Sequence, residues 1–110
     1  MEIVLPPSLV SGQALNHAIS VTTASVQCLP IQRNRMALRF HNPGTVDVYV
    51  CPALDSNGNA LPAVTAAAGM WKVMAGAELG IDAPGGGAWN CIASGAAVLT
   101  ILEYTFFQGA

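Results

Sequence analysis

No stretch of these 110 residues sustains apolar positions at i, i+3, i+4 and i+7 together with capping residues. The one alanine run, Ala66-Ala67-Ala68, meets Gly69 at once. Strand signals recur instead: short runs rich in Val, Ile, Thr, Leu and aromatic residues, separated by clusters of Gly, Pro, Asn and Ser. This rhythm predicts an all-β fold, a single antiparallel β-sandwich, jelly-roll-like, with about eight strands. The predicted strands are residues 18–29, 36–41, 46–51, 61–65, 70–74, 78–81, 88–93 and 98–107. The length suits one domain.

The clearest local pattern lies in the second and third of these runs. Met36, Leu38 and Phe40 alternate with Ala37, Arg39 and His41, and Val46, Val48 and Val50 alternate with Asp47, Tyr49 and Cys51. Period two puts each apolar trio on one face. Between them, Asn42-Pro43-Gly44-Thr45 reads as a type II turn, with Pro43 presetting φ and Gly44 taking the positive value. The expectation is a hairpin. The last run is apolar on both faces, with Val98, Leu102, Tyr104 and Phe106 on one and Leu99, Ile101 and Phe107 on the other. In a two-layer sandwich one of those faces needs a partner to cover it.

Ahead of the first strand, residues 1–16 carry Ile3, Val4, Leu5 and Leu9 beside Pro6, Pro7, Ser8, Ser11 and Gly12. They are expected to form an extended arm, with the sandwich over residues 17–110.

Charge constrains the partners. Only 9% of residues are charged and 53% are hydrophobic, against about 25% charged in an ordinary soluble domain. Once a core is filled, neutral and apolar surface is left over, which suits a chain that works against other protein. The net charge of −2 gives no footprint for nucleic acid or anionic lipid; Arg33, Arg35 and Arg39 are the one basic cluster. The two long uncharged stretches are too interrupted by Pro, Gly and polar residues to span a membrane as a helix. Glu2 stands where a secretion signal would carry a basic residue. Cys28, Cys51 and Cys91 lack CxxC spacing and read as buried free thiols, with one disulfide as the alternative.

Motifs for chemistry are missing. There is no G-x-S-x-G elbow and no phosphate-binding G-x-x-x-x-G-K-[ST] loop. Gly85-Gly86-Gly87 precedes a strand rather than a helix and reads as a permissive, flexible loop. His17 and His41, the cysteines and the six carboxylates have no metal-ligand spacing. Asp55-x-Asn57-x-Asn59 echoes a calcium loop, but Ala60 and Ala66 stand where glycine and a bidentate glutamate belong, so an Asx turn is expected. No catalytic residue, metal or cofactor is expected. The candidate partner-interface residues are Ile3, Val4, Leu5 and Leu9 of the arm, Arg33 and Arg35, Trp71, and Leu99, Ile101 and Phe107. The two arginines would pair with carboxylates of a neighbouring subunit or solvate a strand end. Trp71 or Trp89 could instead serve as a glycan-stacking platform.

The stretch from Arg33-Asn34-Arg35 through Met36-Ala37-Leu38-Arg39-Phe40, the Asn42-Pro43-Gly44 turn and Val48-Tyr49-Val50 resembles small virion proteins of tailed bacteriophages. Downstream, Ala75-Gly76-Ala77-Glu78-Leu79, the glycine loop, an aromatic strand, Ala93-Ser94-Gly95-Ala96 and a final β-run containing Glu103 are similar in layout. The resemblance covers residues 30–104. It implies a structural role: capsid cement or decoration, or a tail-fibre or head–tail component. Its partners would be the major capsid protein or another virion protein, in a homo-oligomer (dimer or trimer) located on the virion. Short length, no repeat and no coiled-coil heptads separate the chain from many tail-fibre pieces and favour the capsid surface.

Overall fold

The computed structural model describes residues 12–82 and 84–106. These form eight strands and no helix: β1 (Gly12–Val21), β2 (Val26–Leu29), β3 (Arg35–His41), β4 (Val48–Pro52), β5 (Trp71–Val73), β6 (Glu78–Asp82), β7 (Trp89–Ala93) and β8 (Ala97–Phe106). They make two four-stranded antiparallel sheets, a long one in the order β1-β8-β3-β6 and a short one in the order β2-β7-β4-β5. The first strand lies beside the last, the second beside the seventh, the third beside the sixth and the fourth beside the fifth. The chain is thus one long hairpin wound over on itself. That winding is compatible with the jelly-roll-like arrangement.

Alternation along each strand builds the core between the sheets. Leu38 and Phe40 of β3, Leu99 and Ile101 of β8, Val48 and Val50 of β4, Val73 of β5 and Trp89, Cys91 and Ala93 of β7 are all buried there. Phe40 and Trp89 meet across the layers as a tilted aromatic pair, centroids 5.4 Å apart. Truncating Phe40 to alanine at such a site costs about 3–5 kcal/mol.

The structure departs from the sequence expectation at four places. Strands β3 and β4 are not a hairpin; they lie in different sheets. Period two correctly assigns Leu38, Phe40, Val48 and Val50 to the core face, but it carries no information about which strand is the neighbour. The connection is organised by Asn42, fully buried, whose Nδ2 donates to the carbonyls of Val46 (2.7 Å) and Val73 (3.0 Å), while its Oδ1 accepts from Gly44 N (3.1 Å). Gly44 does not take the positive φ of a type II turn. Residues 18–29 are two strands in different sheets, broken at residues 22–25. Residues 61–65 form no strand; Thr65 makes only isolated bridges, within the long connection between β4 and β5. Finally, β1 begins at Gly12, so residues 12–16 of the expected arm belong to the long sheet. Ile3, Val4, Leu5, Leu9 and Phe107 lie outside the described residues.

Candidate interaction surfaces

A bulge decides what Arg35 does. Across the β3–β8 ladder, Arg35 faces Thr105 while Ala37 faces Tyr104, so Met36 is an extra residue. The extra residue flips the phase: Met36 points outward, half exposed, and Arg35 shares the inner face with Leu38 and Phe40. On β8, Glu103 follows Leu99 and Ile101 inward by simple alternation and is buried. Arg35 Nε donates to Glu103 Oε2 (2.5 Å), Nη1 to the carbonyls of Gly87 (2.5 Å) and Gly85 (3.4 Å), and Nη2 to that of Pro30 (2.8 Å). The other carboxylate oxygen, Oε1, lies 3.1 Å from His17 Nε2 on β1. Four of the five guanidinium donors are thereby committed inside the fold. Arg35 is therefore not an interface residue; it clamps β8, the β2–β3 connection and the glycine loop together.

The glycine loop is shaped for that clamp. A Cβ at Gly87 would stand 1.8 Å from the Leu54 carbonyl oxygen, and one at Gly86 2.8 Å from that of Gln32. The loop is pressed against backbone on two sides, which a merely permissive loop does not require. Glu103 in an otherwise apolar run was the available signal: an acid at the parity of Leu99 and Ile101 must be inside and must find a cation.

The other sequence-predicted residues divide. Leu99 and Ile101 are fully buried in the core and offer nothing to a partner; β8 instead presents Val98, Thr100, Leu102 and Tyr104 outward. Trp89 is buried too, its indole N–H without an acceptor among the described residues, so it is no stacking platform. Trp71 is 56% exposed on β5, an edge strand of three residues. Arg33 is exposed, its Nε donating to the Ser56 carbonyl (3.1 Å).

Two outward surfaces stand out. On the long sheet, β3 and β6 carry Arg39, His41, Glu78 and Asp82, whereas β1 and β8 present Ala14, Asn16, Ala18 and Ser20 beside Val98, Thr100, Leu102 and Tyr104. The charge is confined to one half of that face. On the short sheet, the β4–β5 connection roofs a depression of about 390 Å³ lined by Cys51, Pro52, Leu61, Val64, Met70 and Ile92, among others. Leu61 and Val64 remain partly exposed at its rim. Of the lining side chains only Cys51 titrates, and burial raises its thiol, so the depression suits an apolar group and supplies no acid–base pair.

The remaining polar groups serve local structure. Asp55 Oδ1 accepts from the backbone N–H groups of Asn57 and Asn59, both at 2.9 Å, with Gly58 at φ 86°, the Asx turn expected from its sequence. Asp47 accepts from Ala75 N (2.9 Å) and lies 3.3 Å from Lys72 Nζ. All three cysteines are free and buried; contact with Cys91, together with burial, pushes the Cys28 thiol well above its ordinary range. Among the described residues no group of three His, Cys, Asp or Glu side chains could hold a metal ion. Comparison with protein-family models and with curated proteins finds no match for this sequence.

Proposed function

We propose that this chain is a non-enzymatic capsid cement or decoration protein of a tailed-bacteriophage virion, made in the host cytoplasm and seated on capsid subunits. One observation carries the reading: burial of Arg35 against Glu103 strips charge from a surface that had little. Outside the core, the described charged side chains are Arg33, Arg39, Asp47, Asp55, Lys72, Glu78 and Asp82. The neutral β1–β8 face and the apolar β4–β5 connection are suited to burial against other protein. Binding spread over such surfaces gains strength by repetition around a symmetric shell.

The test is to locate the protein on purified particles by high-resolution imaging and to measure its capsid affinity from low to high salt. The expected result is ordered density on the shell and an affinity that salt barely changes, since few exposed charges are available for screening. Absence from the shell, or loss of binding with added salt, overturns the reading. A second reading, a tail-tip or tail-fibre module that binds a host receptor or glycan, is favoured by the exposed Trp71 alone. Glycan-array binding abolished by Trp71→Ala, with no capsid binding, would select it.

A further inference from the structure

A sandwich of two four-stranded sheets has four edges, and three of them here are guarded. Strand β2 is four residues long, carries a bulge at Cys28, and is followed directly by Pro30. Strand β5 has three residues with Lys72 at its centre. Strand β6 has Glu78 and Asp82 at its two ends. Short length, bulges, proline and charge are the devices that keep an edge from pairing with another chain. The fourth edge has none of them. Strand β1 runs ten residues, Gly12–Val21, without Lys, Arg, Asp, Glu or proline, and its register with β8 continues from Gly12↔Phe106 to Val21↔Ala97 without a shift. Among the described residues no strand pairs with its outer side.

We propose that β1 is a self-association edge: two copies of this chain pair β1 with β1, antiparallel about a two-fold axis, and join their long sheets into one of eight strands. A second copy is the occupant that the edge itself favours, for three reasons. Each copy offers one open edge, so edge pairing between copies can use only the same edge twice, which gives a closed, isologous dimer. The edge carries no Lys, Arg, Asp or Glu, and its one ionisable side chain, His17, is paired with Glu103 of its own chain, so the outer faces meet without repulsion. Its two faces also match themselves. With His17 on the axis, Leu15 stands opposite Ile19 of the second copy, and both are only partly covered on the inner face. On the outer face Ala14 then meets Ser20, and Asn16 meets Ala18. These small, exposed side chains leave the joined sheet unobstructed over roughly 20 Å, from Ala14 to Ser20. Main-chain hydrogen bonds supply the affinity, as in other strand-addition complexes.

This goes beyond the capsid reading and is tested without a capsid, so either can fail alone. Sedimentation of the isolated full chain across a concentration series should show a monomer–dimer equilibrium. Asn16→Lys with Ala18→Lys places like charges opposite each other across the axis and should weaken the dimer at least tenfold. Asn16→Glu with Ala18→Lys sets opposite charges there and should restore it. Both positions are exposed, so thermal melts of the variants should match the parent at concentrations low enough for all of them to be monomeric. A chain that stays monomeric, a dimer indifferent to the two lysines, or a failure of the Glu/Lys pair to restore it overturns the proposal. So does a monomer that dimerises only after removal of residues 1–10, because the edge would then belong to the chain's own N-terminal segment.

Discussion

Two ion pairs hold this molecule at different depths, and their contrast shows where its specificity resides. Arg35 and Glu103 meet between the sheets, side chains almost without solvent contact; Lys72 and Asp47 meet at the surface, with 47% and 37% of their side chains exposed. The buried pair satisfies four contacts of the guanidinium and fixes three chain segments. The exposed pair ties the β3–β4 connection to β5, and the backbone N–H of Ala75, in the turn after β5, holds Asp47 more closely than the lysine does. A buried pair is a commitment: either partner alone is an uncompensated charge in a low-dielectric interior. An exposed pair is optional, since water takes over either role.

The largest effect is expected from splitting the buried pair. Arg35→Met or Glu103→Leu alone should each cost about 3–5 kcal/mol in denaturant unfolding. The double variant should recover part of that loss, because no lone charge remains. It should stay below the parent, because the carbonyls of Pro30 and Gly87 lose their donor. A double variant no better than the worse single variant would mean that the carbonyl contacts, not the ion pair, dominate. Next comes Gly87→Ala, which leaves both charges in place and pushes a methyl into the Leu54 carbonyl. Relieving the collision should cost about 1–3 kcal/mol, read as a lower denaturation midpoint, while Gly95→Ala, with open space around it, serves as the quiet control.

The smallest effect belongs to the exposed pair. Lys72→Ala should leave the midpoint within error at moderate salt. Asp47 titrates below its ordinary value of 3.8, held down first by the Ala75 N–H and then by Lys72. Its folded pKa is depressed, so its contribution is present above about pH 4 and disappears as pH falls through the folded value. Asp47→Asn should therefore separate from the parent slightly at neutral pH and converge with it in strong acid. A difference that grows on acidification would reverse the assigned sign.

How far the sequence reveals this contrast depends on the distance over which each feature is determined. Inward and outward positions on β4, β7 and β8 follow from alternation, and the Asp55 turn follows from five adjacent residues; both are legible locally. The Met36 bulge is not, because it exists only relative to β8, more than 60 residues later. Without it, Arg35 would have pointed the same way as Arg39, which is why it reads as an interface residue from sequence. The supposed β3–β4 hairpin fails similarly. Asn-Pro-Gly between alternating runs has the same local chemistry whether the chain turns back in one sheet or crosses to the other. Burial of Asn42 distinguishes the two cases, and that depends on Val73. Leu99 and Ile101 read as partner residues for a plainer reason: they are apolar because they are core, and composition alone does not separate a core face from a partner face.

The pairing of first strand with last also sets a timetable. Residue 12 cannot find its neighbour until residue 106 has been made. At roughly 5–20 residues per second of synthesis, the span from Val21 to Ala97 takes on the order of 4–15 s. Throughout that interval a ten-residue strand without Lys, Arg, Asp or Glu waits with both sides open, in a topology whose distant contacts make closure slow in any case. On neighbouring ribosomes of one message, nascent copies of β1 are within reach of each other before either has met its own β8.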